Sequence, residues 1–282
     1  QRADRLARHL RHCGLKHGDR VAVLLPDGPG IHVAYLACEL AGLIVVGIGP
    51  RAGRAEFLHL MQRSGACALL APRQHRDLDL GALCEELAGQ KRALVVMIWA
   101  EKELGTDDPL WSKVPMDSIT GAQGSLGAEE TFLLNSTSGT TGLPKCVAHH
   151  QARWFAFHKA AVKNADLRTE DVFCSALPTP FGFGLWTAHF TPAILGATCI
   201  LSADFRADKI LAAIEREQVT VLAAVSTQFI LMLEHPDFDR YDLSSLRILF
   251  TGGEAVPYSR AANFEQRTKA KVLQFYGSNE AG

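Results

Sequence analysis

Ser136-Thr137-Ser138-Gly139-Thr140-Thr141-Gly142-Leu143-Pro144-Lys145 is the stretch that decides how this chain is read. It follows Thr131-Phe132-Leu133-Leu134-Asn135, a short apolar run with the character of a strand. The ten residues gather five hydroxyls, two glycines and a lysine. Glycines let backbone N–H groups turn toward a ligand. Hydroxyls donate hydrogen bonds and a lysine adds a point charge. Together these are the parts of a polyphosphate cradle. A Walker A loop places Gly before its Lys and Ser or Thr after it. Here Pro144 precedes Lys145 and Cys146 follows, so the loop is of another kind. A solvated Ser/Thr/Gly linker is the bland alternative. It has no reason to lie between an apolar strand and the apolar Cys146-Val147-Ala148.

Working outward, both flanks alternate strand-like and helix-like segments. Strands are expected at 21–25, 44–48, 67–71 and 93–99, with helices over 31–43, 56–63 and 78–87 between them. A polar stretch from Glu101 to Glu130, rich in Gly and Pro, reads as a boundary. Beyond it, strands are expected at 131–135, 172–176, 197–201, 219–223, 247–250 and 271–274. Helices are expected over 151–162, 210–217, 227–234 and 258–268. Continuous Val/Ile/Leu strands alternating with helices imply an α/β fold, with parallel-rich sheets in layers and helices on both faces. Two subdomains follow, 1–130 and 131–282.

Composition sets outer limits. The chain has 282 residues, 48% of them hydrophobic, enough for one large or two ordinary domains. Its net charge of -1, from 29 basic and 30 acidic residues, gives no sign of a nucleic-acid partner. The longest apolar runs are far too short to span a bilayer. Seven cysteines are widely spaced, without a CxxC pair, and read as reduced thiols of a cytoplasmic protein. His149, His150 and His158 have no acidic companion between 146 and 165 and read as packing or capping residues, not metal ligands.

Three further segments lie after expected strands, where open α/β sheets bind ligands. Gln274-Phe275-Tyr276-Gly277-Ser278-Asn279-Glu280 offers a π face and a carboxylate. Thr251-Gly252-Gly253-Glu254-Ala255 allows close backbone approach to a flat ring, or is a plain turn with a Glu at a helix N-terminus. Leu177 to Thr187 carries Phe181, Phe183 and Trp186, which suit an apolar pocket or ordinary core equally. No G-x-S-x-G elbow is present, so a hydrolase triad has no anchor.

At Thr137–Lys145 and Tyr276–Glu280 the sequence resembles the adenylate-forming enzymes, a family of acyl-CoA synthetases, luciferases and peptide-synthetase adenylation domains. The resemblance covers about Arg2 to Gly282 and implies the N-terminal domain core of such an enzyme. It implies that Thr137, Ser138, Gly139, Thr140, Thr141, Gly142, Lys145 and Asn279 meet ATP phosphates. Asn279 stands where the family has Thr. Gly253, Glu254, Ala255, Tyr276 and Gly277 would flank adenine, and Glu280 would hold Mg²⁺. Phe181, Phe183, Thr187 and Gly252 would line the acid pocket. Phe181 stands where many CoA ligases have a His. The implied reaction turns a fatty or aromatic acid and ATP into acyl-AMP, and coenzyme A then takes the acyl group. Transfer to a carrier protein, a luciferase-like oxidation and a silent nucleotide-binding homologue remain open. The family's later domain supplies a catalytic lysine, and a later motif supplies a ribose-binding aspartate. Neither occurs here, so the chain is expected to be a piece of a longer protein and a poor catalyst alone. Oligomeric state is left open.

Overall fold

The computed structural model describes residues 1–89, 96–99, 125–137, 142–202 and 204–280. They form two compact units, Gln1–Trp154 and Phe155–Gly282.

The first unit is built on a six-stranded sheet ordered β6-β3-β1-β2-β7-β8. Its strands are β1 (Arg20–Val23), β2 (Ile44–Gly47), β3 (Ala68–Ala71), β6 (Val96–Trp99), β7 (Thr131–Ser136) and β8 (Cys146–His150). A two-residue ladder, β4 (Gln74–His75) with β5 (Leu78–Asp79), stands apart. From β6 to β7 every pairing is parallel. Its parallel strands read as continuous apolar runs because both faces are covered. Helix α1 (Arg2–His12) buries Leu6, Ala7 and Leu10. Helix α2 (Pro29–Leu40) buries Ile31, Ala34 and Tyr35. Helix α3 (Arg54–Ser64) starts where the Gly53 N–H donates to Glu56 (2.9 Å) and stops at left-handed Gly65. Such a stop suits glycine, which has no Cβ to clash. Phe57, Leu60 and Met61 of α3 pack with Leu24, Val46, Leu69 and, from α4 (Leu80–Gly89), Leu80 and Leu83.

Two features depart from the sequence reading. Strand β8 was not expected, and it runs antiparallel to β7. The division between units falls after Trp154, not near residue 130. The cause is hydrogen bonding: β7 pairs with β2 through Val45↔Leu133 and its neighbours, which carries β7 and β8 into the first sheet. Most of the Gly/Pro-rich stretch before β7 lies outside the described residues.

The second unit carries a five-stranded, all-parallel sheet ordered β10-β9-β11-β12-β13. These strands are β9 (Val172–Ser175), β10 (Thr198–Ile200), β11 (Val221–Ala223), β12 (Ile248–Gly252) and β13 (Lys271–Phe275). Helices α8 (Ala207–Glu217), α9 (Ser226–Leu233) and α10 (Tyr258–Thr268) give it Ile210, Ile214, Phe229, Met232 and Phe264, packed with Leu222 and Leu249. Helix α5 (Gln151–Ala165) leads into the unit. A second helical run follows β9: α6 (Gly182–Leu185), a π-helical turn over Trp186–Phe190, and α7 (Thr191–Leu195). A polar clamp ties the sheet together. Asp171, 3% exposed, takes both arms of the Arg247 guanidinium and the Thr220 hydroxyl at 2.7 Å. Burial alone would raise the Asp171 carboxyl, but Arg247, Thr220 and the Arg168 N–H hold it below its ordinary value.

Candidate functional site

The glycine-rich loop leaves the sheet between β7 and β8, and its two ends are tied to each other. The Thr137 N–H donates to the Lys145 carbonyl (3.1 Å), and the Lys145 N–H donates to Thr137 Oγ1 (3.0 Å). The structure therefore brings Thr137 and Lys145 together at the neck of a hairpin. Ser138, Gly139, Thr140 and Thr141 lie outside the described residues. Gly142 has φ +148°, a conformation that L side chains rarely adopt. Pro144 is buried, and its carbonyl accepts from His59 Nε2 at 3.0 Å, which anchors the loop's return to α3. The Lys145 side chain is exposed. A groove of about 540 Å³ runs beside it, with His59 and Arg63 on one wall and Pro144 to Ala148 on the other.

In the second unit the Gly-Gly and Tyr-Gly segments leave neighbouring strands. Gly252 is the register partner of Phe275, so residues 253–255 and 276–277 emerge side by side. Gly252 is required there: a Cβ would come within 2.4 Å of the Phe275 carbonyl oxygen. Gly253 follows with φ +80°. The Glu254 carboxylate turns back to the start of α9. It accepts from Ser226 Oγ (2.7 Å) and from the backbone N–H (3.0 Å) and hydroxyl (3.2 Å) of Thr227. Those donors lower its pKa, the Thr227 N–H most of all. The side chain therefore serves the helix N-terminus, and its backbone remains to face a ring. Tyr276, 94% exposed, presents its ring fully to solvent. Asn279 is half-buried and Glu280 exposed on the same segment.

The segment before the π turn is shaped by close packing. A Cβ on Gly184 would come within 2.1 Å of the Pro178 carbonyl oxygen, so only glycine fits. Phe181 and Phe183 are half-buried. Thr187 is 1% exposed; its hydroxyl donates to the Phe183 carbonyl (2.9 Å) and lies 3.1 Å from Ser175 Oγ. That hydroxyl braces the turn. Phe183 stands edge-on to Phe275 with centroids 4.5 Å apart. Trp186 meets Phe157 of α5 at 4.9 Å, Phe250 at 5.3 Å and Phe275 at 6.0 Å. In the sequence Phe250 closes an expected strand and Phe275 follows one, and neither is marked as a pocket residue. Their period of two marks them, since Phe250 shares a sheet face with Gly252.

The histidines behave as packing groups. His149 is 2% exposed and accepts from Trp154 Nε1 (3.2 Å). Burial, and then the charge of Arg153, lowers its pKa to about 4. His158 meets the Thr191 hydroxyl at 3.1 Å. His150 is 3.7 Å from Glu129, an acidic neighbour outside the window read from sequence. Among the described residues no cluster of three or more His, Cys, Asp or Glu could hold a metal ion. No helix among them is long and apolar enough to cross a membrane. All seven cysteines are free, and burial raises the thiols of Cys84 to about 11 and Cys174 to about 12.

The chain is 31% identical over 287 residues to a feruloyl-CoA synthase of Amycolatopsis sp, covering 100% of the chain and 53% of that protein. It is 30% identical over 284 residues to the medium-chain fatty-acid–CoA ligase of Escherichia coli (strain K12), covering 98% of the chain and 49% of that protein. The amide bond synthetase McbA from Marinactinospora thermotolerans superposes with a TM-score of 0.82 at 29% identity, covering 100% of the chain and 55% of that structure. The chain thus spans about half the length of the relatives it matches. The family model described as AMP-binding enzyme matches residues 1–282, and the chain belongs to that family.

Proposed function

We propose that the protein carrying this chain activates a carboxylic acid with ATP, forming acyl-AMP and pyrophosphate, and passes the acyl group to coenzyme A. The observation that carries the reading is the loop neck. Thr137 and Lys145 hold the two ends of a run of hydroxyls and glycines against each other. The coenzyme A step is supported by two relatives whose names are CoA synthase and CoA ligase.

The chemical obstacle is charge, because a carboxylate must attack the α-phosphorus of a polyanion. One carboxylate oxygen forms a new P–O bond, and the bond to pyrophosphate breaks. Lys145 and the loop donors would neutralise the phosphate oxygens, and donors aimed at developing charge matter most in a dry site. Gly253, Glu254 and Ala255 on one side and Tyr276 and Gly277 on the other would flank the adenine, chiefly through backbone and a π face. Glu280 suits Mg²⁺, which takes one or two carboxylates and fills its other positions from phosphate and water. When bound, that ion would supply charge neutralisation. Asn279 can donate to the α-phosphate through its amide. The half-buried Phe181 and Phe183, with Phe275, favour an acid with an apolar or aromatic body.

ATP–pyrophosphate exchange by the full-length protein, over a panel of fatty, aryl and amino acids, tests the reading. Exchange with fatty or aryl acids and CoA-dependent AMP release are expected. A response to amino acids only would refute it. Residues 1–282 alone should bind nucleotide weakly and form little acyl-AMP, because orientation and neutralisation act together.

A further inference from the structure

The aromatic cluster of the second unit contains a polar atom that the cluster itself does not use. Trp186 is 3% exposed, and its indole Nε1–H has no acceptor among the described residues. An indole nitrogen can only donate. A buried donor left without an acceptor costs the folded state, which is why nearly all of them are paired. The surroundings explain the deficit. The rings of Phe157, Phe250 and Phe275 close around the indole, and none of them carries an oxygen or nitrogen. The hydroxyl of the next residue, Thr187, is committed to the Phe183 carbonyl and lies against Ser175. For packing alone, phenylalanine would serve at 186 without this cost.

Two further observations bear on the unpaired N–H. Trp186 opens the π-helical turn Trp186–Phe190, and single π turns within helices gather at functional sites. The cluster also has an open side: Phe157 is 36% exposed, and Phe183 and Phe275 are half-buried. We propose that Trp186 is a specificity-determining residue whose Nε1–H donates to an oxygen on the body of the acid, remote from its carboxylate. This rests on the ligase reading above and narrows its substrate class. The preferred acids carry an ether, hydroxyl or carbonyl oxygen within an apolar or aromatic frame. Hydrocarbon acids of the same shape are poorer substrates because they leave the indole unpaired.

The test uses pairs of aryl acids of equal size, one bearing a ring methoxy group and the other an ethyl group at the same position. Pyrophosphate exchange by the full-length protein gives kcat/KM for each. Wild type should favour the methoxy acid by roughly tenfold for at least one ring position, the effect of one buried donor finding its acceptor. In Trp186→Phe that ratio should fall to near one. A merely structural tryptophan would change both acids alike and leave the ratio intact. A ratio retained in Trp186→Phe overturns the inference. So does a wild type without preference at any ring position, a result that needs no folded variant. Exchange with both acids at equal rates removes this inference and leaves the ligase reading standing. Exchange with no acid at all removes both.

Discussion

The loop of the first unit and the two segments of the second are held by opposite means. The loop hangs from an antiparallel pair, and its neck closes through Thr137 and Lys145, eight positions apart. The segments of the second unit leave parallel strands, and distant residues fix them. Glu254 is held by Thr227, 27 positions earlier. Gly252 lies against Phe275 on the adjoining strand, and Arg247, just before β12, clamps Asp171, 76 positions away. A hairpin loop is thus organised by its own neighbours. A βα turn of a parallel sheet inherits its shape from the whole unit.

Substitutions can separate these two modes. The largest effect is expected from Lys145→Ala. Removing the cation should lower pyrophosphate exchange by about 100- to 1,000-fold in the full-length protein. Its side chain is exposed, so the thermal midpoint should stay put. A parallel loss of stability would show that the neck braces the first unit as well. Asp171→Ala should do the reverse. It takes the carboxylate from Arg247, leaving it the Ala165 and Asp166 carbonyls, and should cost the second unit about 3 kcal/mol in urea unfolding, because the partner that remains is only partly exposed. The first unit's hydrogen-exchange protection should be unchanged. The wild-type clamp adds a pH signature. Because the folded Asp171 pKa is depressed, its contribution is complete above the unfolded value. It disappears as pH falls through the folded one, so the variant's stability should be flatter below pH about 4.

A smaller effect is expected from Glu254→Gln, about 1 kcal/mol, the worth of one helix N-terminal acceptor. Nucleotide affinity measured by calorimetry should barely move if the backbone alone faces adenine. A large loss of affinity would give the carboxylate a direct role. The smallest effect belongs to His149. Its folded pKa of about 4 lies below the ordinary value of 6.5, so the unfolded chain binds the extra proton between these values. Stability of the first unit should therefore fall as pH drops from 6.5 toward 4, and His149→Gln should flatten that slope. Equal slopes for both proteins would place the titration elsewhere.

The same contrast decides what could be read from sequence. The hydroxyls, glycines, Pro144 and Lys145 are contiguous, and the loop they form is closed locally, so it was legible as one unit. Strand positions were legible too, because buried parallel strands are uninterrupted apolar runs. Strand β8 was not, since Cys146 to His150 mixes apolar residues with two histidines and shows no clean alternation. The Glu254 cap was half-legible. A helix N-terminus was foreseen as its alternative partner, but nothing local says that the helix is α9, which precedes it in the chain. The unpaired indole of Trp186 was hidden altogether, because a tryptophan beside phenylalanines reads as core until its neighbours are counted.

The neck between Thr137 and Lys145 has a consequence for how this loop can change length. The chain between its tied ends is a closed ring, and the entropy of closing such a ring grows only with the logarithm of its size. Doubling it would cost roughly 0.6 kcal/mol. The sheet on either side would feel such an insertion little. The fold therefore sets little limit on the length of the run from 138 to 143. Lengthened variants should fold normally and fail only where a ligand has to be held.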